Sequence, residues 1–182
     1  MKLLLGAMGC GKSTLARRLL QAAPYRLIVD PRAEHAGDCV CLSLADLVDL
    51  CAKGFPADCT VVCRALEDEG DYADYLFALL QSLRGVTVFI DEIDEYCSPH
   101  GSRPELRRLV NYQRHFGISL LAAARRAAAV HRDLTALANE YYLFRAVEPR
   151  DLAYLEDLVG GEIADKVSHL KRFEYIHVNL YA

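Results

Sequence analysis

The chain has 182 residues, 53% of them hydrophobic and 25% charged, with a formal net charge of −4. This is the composition of a globular protein, long enough for one well-buried domain over 1–182 and short for two. It argues against a polybasic coat that holds nucleic acid by net charge alone, and no apolar run approaches the roughly 18 residues of a membrane span.

The first predicted element is a short buried strand, Lys2–Leu5, too short for the apolar core of a secretory leader. It runs directly into Gly6-Ala7-Met8-Gly9-Cys10-Gly11-Lys12-Ser13-Thr14. Gly6, four residues, then Gly11-Lys12-Ser13 match the G-x-x-x-x-G-K-[ST] pattern of a phosphate-binding loop. Glycines allow the backbone to fold so that successive N–H groups converge on phosphate oxygens. Lys12 is positioned for the β- and γ-phosphates of ATP, and the Ser13 hydroxyl for Mg²⁺. The helix predicted from Ser13 onward adds its positive N-terminal end to the same site.

A second strand is expected over 25–30, closed by Pro31, with polar turn-like residues over 32–38. Residues 39–42 read as a short edge strand, 43–51 as a helix capped by Ser43, and 59–63 as a β-branched strand. An acidic run follows, with Glu67, Asp68, Glu69, Asp71 and Asp74. A helix with a Tyr and Leu stripe is predicted over 71–83. Residues 86–91 are a near-continuous apolar run, as expected of a strand buried on both faces. Residues 98–102 read as a loop, 104–116 as a helix opened by Pro104 and stopped by Gly117, and 118–122 as another buried strand. A short helix over 130–138, a strand over 140–144, helices over 149–158 and 162–170, and a strand over 173–181 complete the chain. Strands alternating with helices predict a three-layer α/β domain with a central, mostly parallel sheet.

The seven cysteines, at 10, 39, 41, 51, 59, 63 and 97, are odd in number and lack paired C-x-x-C spacing. They read as free thiols of a cytoplasmic protein rather than a zinc site, with Cys10 inside the loop exposed to oxidation.

The strand ending in Asp91-Glu92 is the second functional stretch. A carboxylate at the end of a buried strand beside the phosphate loop suits Mg²⁺, and that role falls to Asp91. Glu92 is placed to polarise a water for in-line attack on the γ-phosphate. Asp94 and Glu95 read as solvated helix-start residues. At the end of the following strand, Arg125 is placed to sense the γ-phosphate or the attacking water. Seven arginines against Glu105 alone lie in 103–132. Among them Arg114, with Arg107 and Arg108 as competitors, is a candidate to reach a neighbouring subunit as an arginine finger.

Taken together, GAMGCGKS, Asp91-Glu92 and the stretch RHFGISLLAAARRAAAVHRDL resemble the FtsK–HerA superfamily of DNA-pumping ATPases. More narrowly, they resemble the small genome-packaging ATPases of tailless, membrane-containing viruses and related phage proteins. Arg114 matches an arginine before the Gly117-Ile118 strand start, and 138–145 with Glu148-Pro149-Arg150-Asp151-Leu152 looks like the end of the same core. The chain departs from the pattern where Arg125-Arg126-Ala127 replaces the usual glutamine, arginine and proline. The resemblance implies a P-loop NTPase of the ASCE type, hydrolysing ATP with Mg²⁺. It also implies a homo-oligomeric ring, a hexamer by analogy, that moves double-stranded DNA, with a capsid or portal protein as a further partner. Two other readings fit the loop: a small-molecule kinase with Asp30 activating the acceptor, and a phage export ATPase similar to the Zot-like proteins. A scaffold that binds ATP without turnover is a weaker fourth.

Overall fold

In a computed structural model the chain is described over residues 1–64 and 71–180. Glu67, Asp68 and Glu69 of the acidic run lie outside these. An eight-stranded sheet forms the frame, in the order β10-β9-β1-β8-β5-β2-β4-β3. Its members are β1 (Lys2–Leu5), β2 (Arg26–Val29), β3 (Cys39–Cys41), β4 (Thr60–Cys63) and β5 (Thr87–Ile90), then β8 (Ser119–Ala124), β9 (Glu140–Phe144) and β10 (Tyr175–Asn179). All neighbours pair in parallel except β10, which runs antiparallel to β9 at one edge. The loop strand β1 and the acidic strand β5 are therefore not neighbours. β8 lies between them, so residues ending three adjacent strands converge at one rim of the sheet. This is the expected ASCE arrangement.

Alternation along the strands sorts the core into two layers. Leu4, Ile28, Val62, Phe89, Leu121 and Tyr142 face α1 (Lys12–Leu20), against Leu15, Ala16 and Leu20. Leu3, Leu5, Leu27, Val29, Val88, Ile90 and Ala122 face the opposite layer. That layer holds α2 (Leu44–Ala52), α3 (Tyr72–Leu80), α4 (Pro104–Tyr112), α5 (Arg132–Ala136), α6 (Pro149–Val159) and α7 (Gly161–His169). Period-two burial on both faces is why the strands read as continuous apolar runs.

Local signals act where expected. Ser43 caps α2 by accepting from Asp46 N while the Asp46 carboxylate accepts from Ser43 N, a full capping box. Pro104 opens α4, and Gly117 adopts φ 66° before β8. Three local readings change. The stretch over 98–102, which the sequence reads as loop, belongs to a small antiparallel hairpin, β6 (Cys97–Ser98) with β7 (Gly101–Ser102). The helix expected over 130–138 shortens to α5, preceded by a 3₁₀ turn at Ala127–Ala129. The strand expected to end at 122 continues to Ala124, so Arg125 follows it directly. All seven cysteines are free. Among the described residues no helix is long and apolar enough to cross a membrane.

Candidate functional site: a phosphate loop facing an acidic strand end

The phosphate loop is anchored on three sides by main chain. Gly6 N donates to Ala124 O at the end of β8 (3.3 Å), and Ala7 N to Arg145 O just past β9 (3.0 Å). From the approach to β10, Phe173 N donates to Cys10 O (2.9 Å) and Arg172 Nε to Gly9 O (3.0 Å). Gly11 holds φ 111°, and a Cβ there would sit 2.6 Å from the Phe173 ring. Only glycine lets this corner close against the aromatic.

Inside the turn, Lys12 is buried and its Nζ donates to Gly6 O (2.7 Å) and Ala7 O (2.9 Å). The ammonium is thus drawn back across the loop rather than spread into solvent. Helix α1 begins with no side-chain cap and no acid in its first turn. Its first N–H groups therefore keep their capacity for an anion. A cavity of about 520 Å³, lined by Ala7, Met8, Gly9, Cys10, Arg145 and Arg172, opens beside the loop, a size suited to a nucleotide. The sequence ties neither Arg145 nor the Arg172-Phe173 pair to the loop, because they join it from strand ends more than a hundred residues away. Burial pushes the Cys10 thiol up, with Lys12 pulling against it. That keeps the sulfur protonated and speaks against the ready oxidation read from its position.

The end of β5 carries the acidic pair. Asp91 is buried, and its Oδ1 accepts from Glu92 N (3.0 Å). Glu92 takes a left-handed backbone, φ 53° and ψ 53°, a conformation that costs a non-glycine residue on the order of 1 kcal/mol. Its carboxylate meets Arg32, which pairs with Glu92 Oε2, and Arg125, whose Nε is 3.3 Å from Oε1. Arg125 also binds Glu95 (2.6 Å), as does Arg32 (2.7 Å). Burial pushes the Glu92 carboxyl above its ordinary value, while Arg125 and Arg32 oppose that shift. Asp94 corrects the sequence reading: its side chain is 6% exposed and burial pushes it up too, so it is not a solvated helix-start acid.

The arginine-rich stretch is mostly engaged within the chain. Arg103 meets Asp74, Arg107 meets Asp133, Arg126 meets Glu148 and Asp151, and Arg132 meets Asp157. Arg108 and Arg114 are exposed. Arg114 lies near the Met1 amino group, which is pushed down by burial first and by Arg114 second. It sits at the start of β1, a strand length of roughly 13 Å from the loop at the other end. The structure therefore brings together residues 6–14, Asp91, Glu92 and Arg125, and leaves Arg114 apart from them.

The strand order, the glycine loop with its buried lysine and the acidic rim define a P-loop ATPase fold. Residues 1–129 match the sequence family described as an AAA domain. The chain belongs to that family. No curated protein matches it in sequence. Among solved structures, it is similar to the genome packaging NTPase B204 of Sulfolobus turreted icosahedral virus 2 in complex with AMPPCP. The TM-score is 0.79 at 21% identity, covering 99% of this chain and 92% of that one. VirB4 of Thermoanaerobacter pseudethanolicus is similar with a TM-score of 0.66 at 15% identity, covering 100% and 89%. The N-terminal domain of zonular occludens toxin from Neisseria meningitidis follows with 0.50 at 17%, covering 78% and 74%. At these identities the likeness is one of fold.

Proposed function

We propose that the chain is the ATP-hydrolysing subunit of an oligomeric motor that translocates double-stranded DNA, of the genome-packaging kind. The observation that carries the hydrolytic part is Glu92, set directly after Asp91 at the end of β5 and facing Arg125 at the end of β8. A carboxylate raised by burial and flanked by two guanidiniums is suited to take a proton from an attacking water. Residues 6–14 bind the phosphates through backbone N–H groups, and Lys12 leaves its carbonyl partners for the phosphate oxygens. The Ser13 hydroxyl and Asp91 carboxylate are hard oxygen donors that fit Mg²⁺. When bound, the ion neutralises phosphate charge. The fold likeness to the genome packaging NTPase B204 supports the motor reading. DNA is gripped through its phosphate backbone, so binding weakens as salt rises.

The kinase reading loses its acceptor base. Asp30 is 1% exposed, and its oxygens are held by Glu34 N (2.9 Å), His35 N (3.0 Å) and Arg64 Nε (3.2 Å). Only Gly160 separates α6 from α7, which leaves no lid insertion between them. The export-ATPase reading shares this site and differs in cargo.

The test is ATP hydrolysis against protein concentration, with and without double-stranded DNA. A rate per subunit that rises with both is the expected outcome, with Lys12→Ala and Glu92→Gln each lowering kcat by about a hundredfold or more. Hydrolysis that ignores concentration and DNA but still needs Glu92 removes the motor and keeps the ATPase. Background rates throughout remove both.

A further inference from the structure

His35 lies in the stretch between β2 and β3, which the sequence marks only as polar and turn-like. Its side chain is fully buried, and its Nε2 stands 2.6 Å from Asp91 Oδ2. On the other side of the ring, Arg17 Nε donates to Nδ1 (3.4 Å). A guanidinium has no acceptor, so Nδ1 carries the lone pair and the proton sits on Nε2. The hydrogen bond therefore runs from His35 Nε2–H to the Asp91 carboxylate. Arg17 lies one turn beyond Ser13 on α1, so the ring ties the acid at the end of β5 to the helix that carries the Ser13 hydroxyl.

The stretch that delivers the ring is itself fixed. Asp30 Oδ2 accepts from His35 N, Arg64 hydrogen-bonds His35 O, and the ring stands edge-on to Phe89 at 5.4 Å between centroids. A histidine that only fills a core does not need an acid against one nitrogen and a cation against the other. We infer that His35 is a positioning residue for the metal-binding carboxylate: it orients Asp91 by donating to Oδ2, with its tautomer set by Arg17. The inference rests on the Mg²⁺–ATP reading of the site. Partners of this kind orient a ligating group without touching the ion, and their loss typically weakens metal affinity roughly 10- to 100-fold.

The test measures Mn²⁺ binding by electron paramagnetic resonance with a non-hydrolysable ATP analogue present, beside analogue binding in EDTA. His35→Ala is expected to weaken Mn²⁺ binding by roughly tenfold or more while metal-free analogue binding holds. His35→Gln, whose amide nitrogen reaches the Nε2 position, restores most of it; His35→Asn, whose amide falls short, does not. Should the alanine variant fail to fold, the Gln and Asn pair decides alone. Equal Mn²⁺ affinity in wild type and the variants overturns the inference, as does a parallel loss with and without metal, which marks a merely structural ring. If wild type itself binds no Mn²⁺ with the analogue, the Mg²⁺–ATP reading fails instead.

Discussion

At the scale of single residues, Glu92 combines two costs, burial and a left-handed backbone, with two arginines that offset part of the first. Its raised pKa has a direction for catalysis. As a base it becomes protonated at a higher pH than an ordinary glutamate, so turnover falls off on the acid side earlier than for a free carboxylate. Arg125 is the largest counter-charge acting on it. Arg125→Gln should therefore move the acid limb of the kcat profile further up, and a pH–rate profile checks this. A limb that stays in place would mean that another group titrates. The same shift has a sign for stability. A carboxyl raised in the folded state contributes stability that is full below the unfolded value and lost as pH rises through the folded one. Once the folded-state carboxyl has ionised that contribution is gone, so on the alkaline side of its titration Glu92→Gln, which never charges, should match or exceed the wild-type Tm while losing turnover. The loop and the Asp91-Glu92 pair were legible because their spacing is itself the chemistry. Arg32, His35 and Arg172 were not, since each reaches the site from a stretch with no periodicity.

At the scale of elements, the site depends on how closely strand ends approach one another. Gly6 holds φ 151°, and a Cβ there would fall 2.6 Å from Phe144 Cβ on β9. Gly6→Ala must push β9 from β1 or distort the loop, at about 1–3 kcal/mol, read as a lower denaturant midpoint with an unchanged m-value. On the β8 side, Asp151 of α6 is buried, accepting from Arg126 Nε (2.8 Å) and Ala128 N (3.0 Å). It locks α6 over the turn that follows Arg125. Asp151→Ala leaves the half-buried Ala128 N–H without this partner and should cost about 1 kcal/mol, visible in the same measurement. Strand and helix identities followed from period and capping residues, so nearly every long element was readable in the chain. The pairing order came only through the family resemblance, because nothing in a strand's own alternation says that β8 inserts between β1 and β5. The β6–β7 hairpin and the 3₁₀ turn at Ala127–Ala129 escaped for a simpler reason: two or three residues are too few to show a period.

At the scale of the whole molecule, the arginines divide by destination. Those pairing with Asp74, Asp133, Glu148, Asp151 and Asp157 serve the fold, which narrows what the arginine-rich stretch offers to a partner. Arg114 is different: it is exposed and lies apart from its own phosphate loop, so in the proposed motor it is assigned to the nucleotide site of a second copy. In the proposed ring each contact is head-to-tail, one subunit giving its loop and the next its arginine. This arrangement predicts complementation. Lys12→Ala retains a sound Arg114 and Arg114→Ala retains a sound loop, and each alone should be nearly inactive. In an equal mixture that exchanges subunits, about a quarter of the contacts join an intact loop to an intact arginine, and hydrolysis should recover toward that share if sites fire independently. A ring in which every subunit must fire would instead stay silent in the mixture. Should Arg114→Ala alone hydrolyse ATP at the wild-type rate per subunit, the shared site through Arg114 is lost, and exposed Arg108 becomes the residue to exchange in the same mixing experiment.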